Sequence, residues 1–217
     1  MTPLKVLDLF AGTGSATEAF EKRGHTVVSV ELDERFEATI HGDVAQLDAK
    51  ALTERYGRFD FIWASPPCTA FSIAGVRVHW SNGKPKSQLA VDNQVLVAAT
   101  LRLIDELAPR YGWLMENPRG MLRKLPVVAG QPRSTVTYCQ YGDSRMKPTD
   151  LWGGIGSKGW LPDRRCRNGN PCHEAAPRGS NTGTQGMRNP IKRARVPYGL
   201  SEEVANHVEL AARGGDW

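Results

Sequence analysis

A chain of 217 residues, of which 40% are hydrophobic, is long enough for one full-sized domain with a small appendage and excludes two large independent domains. It contains no apolar run of about 18 residues and no signal-peptide pattern, so we expect a soluble cytoplasmic protein with no membrane contact. The four cysteines, Cys68, Cys139, Cys166 and Cys172, are too few and too scattered for a disulfide scaffold, which excludes a small disulfide-rich secreted domain.

The net charge of +5 is unevenly distributed along the chain. Residues 1–130 carry 15 acidic and 15 basic side chains, whereas residues 131–217 carry 8 acidic and 13 basic ones. A neutral body with a basic end favours contact with a polyanion such as nucleic acid. A basic face that is merely solvated is the alternative that charge alone leaves open.

Short apolar runs alternate with amphipathic stretches over residues 3–110, a pattern that predicts an α/β domain with a mostly parallel sheet. A long helix is predicted over 88–108, with Leu96, Ala99, Leu103 and Leu107 facing the core. The predicted strands, at least five, are KVLDLF, TVVSVEL, RFDFIWA, YGWLMEN (111–117) and STVTYCQYG (134–142).

Two segments interrupt this alternation. Residues 73–87 are polar and contain glycine, which predicts a mobile loop. Residues 153–190 hold eight glycines, four prolines and several arginines, including Arg178 and Arg188, and predict a small irregular basic lobe. LSEEVANHVELAAR (200–213) predicts a closing helix. We therefore expect a core over 1–152, a lobe over 153–195 and a C-terminal helix within 196–217.

The first two predicted strands end in residues suited to a nucleotide-containing cofactor. DLFAGTGS (8–15) offers Gly12 and Gly14 for a tight turn before a helix. Glu31 ends the second strand, where a carboxylate can accept hydrogen bonds from ribose hydroxyls, and Asp43 follows near the expected adenine edge. A simple glycine turn and two solvated carboxylates are the alternative.

The next two strand ends carry a thiol and an acid. FIWASPPCTAFS (61–72) predicts a buried strand that stops at two prolines and presents Cys68 as a candidate nucleophile. MENPR (115–119) places Glu116 at the end of an apolar strand, where lost hydration should raise its pKa and make it a proton donor. A small buried cysteine and a capping or salt-bridged glutamate are the alternatives.

These motifs together resemble the DNA cytosine-5 methyltransferases over roughly residues 4–150: DLFAGTGS, Glu31, GDV (42–44), SPPC (65–68) and ENPR (116–119) occur in the family's order and spacing. The resemblance implies a Rossmann-like methyltransferase fold with helices on both faces of the sheet, S-adenosylmethionine as cofactor and double-stranded DNA as partner. It also implies a cofactor pocket that contains Asp8, Phe10, Gly12, Gly14, Ser15, Glu31, Leu32, Asp43, Val44 and Pro66.

The resemblance further implies that Cys68 adds to C6 of a flipped cytosine, that Glu116 holds N3, and that residues 69–87 close over the base. The family's arginine-rich element after Tyr-Gly is shortened here to YGDSRMKPTDLW. We predict that Arg145 contacts the base O2, because Lys147 lacks the planar fork of arginine. The same chemistry on RNA or a free cytidine nucleotide, and a catalytically silent DNA-binding module, are the alternative functions.

The small size of the basic lobe predicts few base-edge contacts and a short or relaxed recognition sequence. Such compactness favours a phage or prophage enzyme, acting in a bacterial cell or a phage-infected host, and we expect a monomer. Cys166, Cys172 and His173, with Cys139 as a conceivable fourth ligand, could form a structural zinc site. Because adjacent Cys172 and His173 rarely bind one ion together, we predict no metal.

Overall fold

The computed structural model describes residues 2–174, 187 and 189–215; Arg178 and Arg188 of the predicted lobe lie outside them. Its strands are β1 Lys5–Leu9, β2 Thr26–Glu31, β3 Ile40–His41, β4 Phe61–Ala64, β5 Trp80–Ser81, β6 Lys84–Pro85, β7 Gly112–Pro118, β8 Arg133–Thr137 and β9 Pro148–Ile155. Seven of them form one sheet in the order β3-β2-β1-β4-β7-β9-β8. All neighbours are parallel except β9, which runs antiparallel to both β7 and β8.

Helices cover both faces of this sheet, which confirms the predicted fold class. They are α1 Glu18–Lys22, α2 Ala49–Tyr56, α3 Ile73–His79, α4 Gln88–Leu107, α5 Pro190–Ala194 and α6 Tyr198–Ala212. Leu52 of α2 and Val97 of α4 belong to the core cluster on one face, whereas Phe20 of α1 and Val204 of α6 belong to the cluster on the other. All four residues of β4 are buried, as expected for a central strand covered on both faces.

The five predicted strands are present as β1, β2, β4, β7 and β8. The last was predicted to be longer: β8 ends at Thr137, and Tyr138–Tyr141 forms a 3-10 helix that stops at Gly142 with φ 88°. That short helix is important for the site described below, because it turns the Tyr138 side chain into the core.

Strand β9 was missed because its glycines weaken the sequence signal for a strand. Those glycines allow it to lie close to β7: a Cβ atom on Gly153 would approach the carbonyl oxygen of Trp113 to 2.2 Å. β9 continues through the domain boundary expected after residue 152 and ends at Ile155. Trp160 and Leu161 pack beside it against the second core cluster. The division into core, lobe and closing helix stays a prediction.

The buried face of α4 differs from the predicted one. Leu103 and Leu107 are buried, but Leu96 and Ala99 are only partly so. Two polar residues occupy the core-facing side instead: Thr100 donates to the carbonyl oxygen of Leu96, and Asn93 reaches the turn that follows β4. Counting apolar residues alone therefore placed the face about one residue away from its true position.

The expected irregular loop at 73–87 is instead built from α3 and a β5–β6 hairpin. Asn82 and Gly83 have φ angles of 49° and 76°, as a two-residue hairpin turn requires. Trp80 is buried and donates its indole N–H to the carbonyl oxygen of Ala70 at 2.8 Å. The segment after Cys68 is thus anchored on the core. None of the described helices is both long and apolar enough to cross a membrane.

Candidate active site

The turn after β1 has the backbone shape that its glycines predict. Phe10, Gly12 and Gly14 all have positive φ angles, of 64°, 51° and 69°. A Cβ atom on Gly12 or Gly14 would meet nothing within 4 Å, so open space lies over the turn. The Gly12 N–H donates to Glu31 Oε2 at 2.8 Å, which connects the ends of β1 and β2.

The carboxylate of Glu31 is held in place by backbone groups. Besides Gly12, the N–H groups of Leu32 and Asp33 donate to Oε1 at 2.9 and 3.0 Å. A carboxylate offers about four acceptor sites, so one remains for a ribose hydroxyl. The side chain of Leu32 beside it is 68% exposed, which leaves an apolar surface available to a ligand.

The third cofactor motif lies at a short 3-10 helix, Val44–Gln46. Asp43 caps it by accepting from the N–H of Ala45 at 2.9 Å, and the carboxylate is otherwise exposed. Val44 is buried in the core. The structure therefore gives Asp43 a capping role and leaves its predicted contact with adenine a prediction.

Asp8 is the most unusual group near the turn. Its side chain is fully buried, and Oδ2 accepts from the Thr17 hydroxyl at 2.7 Å. Among the described residues Oδ1 has no hydrogen-bond partner, and lost hydration raises the pKa of Asp8 to about 7. Ser15 is also buried, but its hydroxyl accepts from the Val196 N–H at 3.0 Å. The unpartnered Oδ1 and the open space over Gly12 fit a nucleotide cofactor.

We predict that Asp8→Asn stabilises the cofactor-free protein at pH 8. Between the unfolded pKa near 3.8 and the folded value of about 7, the folded state holds the proton, so the free energy of unfolding falls as pH rises. The gain at pH 8 should be at most about 4 kcal/mol. Denaturant unfolding at pH 5 and pH 8 measures it. Asp8 is protonated in the folded protein at pH 5, so an equal gain at both values would contradict the explanation.

The turn that carries Cys68 is fixed by two asparagines. Asn117 Nδ2 donates to the carbonyl oxygen of Pro66 at 2.9 Å, and Asn93 Nδ2 donates to that of Pro67 at 3.3 Å. Both asparagines are buried. Neither was predicted as a site residue; the only signal was the position of Asn117 directly after Glu116.

Cys68 itself is half-buried at the tip of this turn. Its carbonyl oxygen accepts from the N–H groups of Phe71 and Ser72 at 3.0 and 2.8 Å, which leads the chain into α3. Burial raises the pKa of the Cys68 thiol, and the charge of Glu116 raises it further, whereas Lys147 lowers it. The thiol, the acid and the lysine are therefore electrostatically coupled.

Glu116 lies just beyond the point where β4 stops pairing with β7, at Ala64 and Met115. Its side chain is 6% exposed, and Oε1 accepts from the Tyr138 hydroxyl at 2.9 Å. Burial raises the pKa of Glu116, and Lys147, with its Nζ 3.9 Å from Oε1, is the main opposing cause. An acid in this environment keeps its proton to higher pH than an exposed glutamate.

Lys147 is the cation of this group. Its Nζ donates to the carbonyl oxygen of Arg193 at 3.0 Å and lies 4.5 Å from the centroid of the Tyr138 ring. Burial lowers the pKa of Lys147, while Glu116 and Cys68 act to raise it. The backbone at Lys147 has φ 26°, an uncommon angle for a residue other than glycine.

The structure places Lys147, rather than our chosen Arg145, within ion-pair distance of Glu116, and the predicted contact of Arg145 with the base O2 stays a prediction. The Arg145 guanidinium is buried, pairs with the Asp143 carboxylate and donates at 3.1 Å to the carbonyl oxygens of Lys192 and Arg193. Asp143 is two residues upstream and captures the arginine locally. Planar fork geometry favoured arginine in the sequence, and the acid in DSR was the sequence signal for the pairing of Arg145 with Asp143.

Comparison with known proteins identifies the family of the chain. The sequence profile of the family described as C-5 cytosine-specific DNA methylase matches residues 4–126. A Frog virus 3 (isolate Goorha) protein named as a probable DNA (cytosine-5)-methyltransferase is 31% identical over 177 residues, covering 78% of each chain.

Two further relatives match smaller shares. The type II methyltransferase M.HgiCI of Herpetosiphon aurantiacus is 28% identical over 133 residues, which cover 54% of this chain and 28% of that protein. The crystal structure of S. pombe Dnmt2 methyltransferase superposes with a TM-score of 0.46 at 14% identity, over 70% of this chain and 49% of that one. With a thiol and an acid at neighbouring strand ends and a family profile matched over more than half its length, this chain belongs to the C-5 cytosine-specific DNA methylases.

Proposed function

We propose that Cys68 is the nucleophile with which this DNA cytosine-5 methyltransferase attacks C6 of its target base. The observation that carries the proposal is the rigid Pro66–Cys68 turn, which presents a half-buried thiol coupled to a buried acid and a buried cation. Cytosine C5 is a poor nucleophile until a thiolate adds to C6 and pushes electrons into the ring. A fixed turn holds the sulfur in position for that attack.

Glu116 is the proton donor that acts together with the Cys68 nucleophile. Burial raises its pKa, so it keeps its proton to higher pH than an exposed glutamate and can donate that proton to the cytosine N3, where negative charge develops when the thiolate adds. Tyr138 fixes the carboxyl through its 2.9 Å hydrogen bond and acts as a positioning residue. Lys147 places a positive charge beside both groups and lowers the pKa of Cys68.

The cofactor of the family is S-adenosylmethionine, which supplies the methyl group that C5 accepts. The residues that would hold it surround the open space after β1: Gly12 and Gly14 on the turn, Glu31 and Leu32 at the end of β2, and Asp8 beneath. Loss of the C5 proton to a base then allows the C6–S bond to break. The thiolate of Cys68 is regenerated, the N3 proton returns to Glu116 and the aromatic ring is restored.

Double-stranded DNA is the substrate that we propose, with the protein acting as a monomer. The basic excess in residues 131–217 supports a polymeric anion over a free nucleotide. A filter assay that measures methyl transfer to duplex DNA, RNA and dCMP in parallel tests this. Transfer to RNA or dCMP at a rate equal to or above that for duplex DNA would overturn it, and absence of transfer to all three would indicate a silent binding module.

The small size of the predicted basic lobe, residues 153–195, predicts a short or relaxed target sequence, because few side chains can reach base edges. Bisulfite sequencing of DNA methylated in vitro measures this directly. We expect methylation at many sequence contexts that share only a few base pairs. A strict target of about six base pairs or more would contradict the prediction, since each recognised pair needs its own contact.

The charge of Lys147 should appear in the pH dependence of kcat. Because Lys147 lowers the pKa of both Cys68 and Glu116, Lys147→Met is expected to move both limbs of the pH–rate profile to higher pH. Lys147→Arg keeps the charge and is the matched control. An unshifted profile in Lys147→Met would show that the lysine does not act on these groups.

A further inference from the structure

We propose that Cys139, Cys166, Cys172 and His173 bind a zinc ion that attaches residues 163–174, part of the predicted basic lobe, to the catalytic core. The four ligand atoms, three sulfurs and one imidazole nitrogen, all lie within 4.8 Å of one another. Three cysteines and a histidine are a donor set that structural zinc sites use. This proposal does not depend on the methyltransferase activity.

Three of the distances within this group are those of a tetrahedral site. Bonds of about 2.3 Å to sulfur and about 2.0 Å to nitrogen place two sulfurs about 3.8 Å apart and a sulfur and a nitrogen about 3.5 Å apart. The Cys172 and Cys139 sulfurs are 3.8 Å apart, and His173 Nδ1 lies 3.5 Å from Cys172 Sγ and 3.6 Å from Cys166 Sγ. Cys139 and Cys166 are closer, at 3.1 Å.

The adjacency of Cys172 and His173, which argued against a metal in the sequence, is overcome by the nitrogen used. Nδ1, the ring nitrogen nearer the backbone, faces the sulfurs, so neighbouring side chains converge on one point. The Gln140 amide Nε2 lies 3.3 Å from Cys172 Sγ and supplies an outer hydrogen bond to that sulfur. Such outer partners are typical of ligating groups.

The chain around these ligands is held to the core by polar contacts, including the ion pair of Arg164 with Glu203, and not by a hydrophobic core of its own. Residues 163–174, DRRCRNGNPCHE, contain no aliphatic or aromatic core side chain. Their contacts with the core include the Thr137 N–H to the Arg164 carbonyl at 3.0 Å, the Cys166 N–H to Thr137 Oγ1 at 2.8 Å, and the Glu174 N–H to the Ser144 carbonyl at 3.0 Å. Short segments without a hydrophobic core commonly depend on a metal for their fold.

The charges around the four ligands also favour a zinc ion. Zinc with three thiolates carries a net negative charge, and the exposed Arg165 and Arg167 flank Cys166 directly. Four protein ligands leave no open coordination position, so the ion would be structural. Since Cys139 follows Tyr138, which holds Glu116, the metal would tie the segment that carries these arginines to the short helix beside the catalytic group.

Metal analysis of the full chain, purified under reducing conditions without chelator, tests the proposal. We expect about one zinc per chain, and after growth in cobalt-supplemented medium we expect the ligand-field absorption of tetrahedral cobalt with thiolate charge transfer. Zinc far below one per chain without these cobalt bands would overturn it. So would a Cys139–Cys166 disulfide in the freshly isolated protein, seen as an intact mass two hydrogens low and located by peptide mapping.

Variants identify the ligands. Cys172 is exposed, so Cys172→Ser should fold while its zinc affinity, measured by competition with a chromogenic chelator, falls by roughly 10-fold or more. Cys172→His keeps four ligands and should retain the ion, as should Cys68→Ser, which changes the thiol outside the cluster. Equal zinc affinity in Cys172→Ser and the parent would overturn the assignment.

Discussion

Replacing Cys68 with serine is expected to reduce kcat by about 10⁴-fold or more, the scale on which enzymes lose rate when a covalent nucleophile is removed. A serine hydroxyl has a far higher pKa than a thiol, and the Lys147 charge that assists Cys68 cannot ionise it. Without addition to C6, C5 stays too weakly nucleophilic to accept a methyl group. Radiolabelled methyl transfer to duplex DNA under single-turnover conditions gives the rate.

The serine variant should still bind both ligands. The Cys68 backbone carbonyl, the Asn117 bond to Pro66 and the Asn93 bond to Pro67 do not involve the sulfur, so the turn keeps its shape. Affinities for duplex DNA and for the cofactor, measured by titration, should remain within about twofold of the parent, since replacing one sulfur atom by oxygen disturbs the structure little. Lost binding would instead attribute the lost rate to a disturbed fold.

Replacing Glu116 with glutamine is expected to lower kcat by about 10²- to 10⁴-fold, the usual contribution of a positioned acid. Glutamine keeps the shape and can still accept from the Tyr138 hydroxyl, but it cannot transfer a proton to N3. Single-turnover methyl transfer measures the loss. The pH–rate profile should also lose the limb that Glu116 contributes.

Tyr138→Phe separates positioning from proton transfer. Removing the hydroxyl leaves the acid in place but without its 2.9 Å hydrogen bond, so we expect a smaller loss in kcat, of about tenfold. The limb of the pH–rate profile that Glu116 contributes should persist in Tyr138→Phe and disappear in Glu116→Gln. If both variants lost rate equally and kept the same profile, Glu116 would not be the proton donor.

Strand ends were the part of the site that the sequence predicted well. Leu9, Glu31 and Ala64 each end a strand of the parallel part of the sheet. Because the carboxyl ends of parallel strands meet at one edge, the hydrophobic runs and their last residues predicted that the glycine turn, Glu31 and Cys68 share that edge. The predicted strands and α4 were found because their apolar residues recur, although Asn93 and Thr100 interrupt the buried face of α4.

Contacts between side chains distant in the sequence could not be predicted from the strand ends. Tyr138 resembles any core aromatic residue in the sequence, and only the 3-10 helix after β8 brings its hydroxyl to Glu116. Lys147 follows an arginine with better recognition chemistry, and only the local pairing of that arginine with Asp143 shows that the lysine is the cation beside the acid. By contrast, Asn82-Gly83 was a readable hairpin signal within the segment predicted as a loop.

Covalent trapping tests the central role of Cys68 most directly. Fluorine at C5 cannot leave as the proton does, so duplex DNA with 5-fluorocytosine at the target should hold the enzyme at the stage before the C6–S bond breaks. With cofactor present, we expect a denaturation-resistant protein–DNA adduct that peptide mass spectrometry assigns to the Cys68 sulfur and that Cys68→Ser does not form. An adduct on another residue, or one formed equally by the serine variant, would contradict the account.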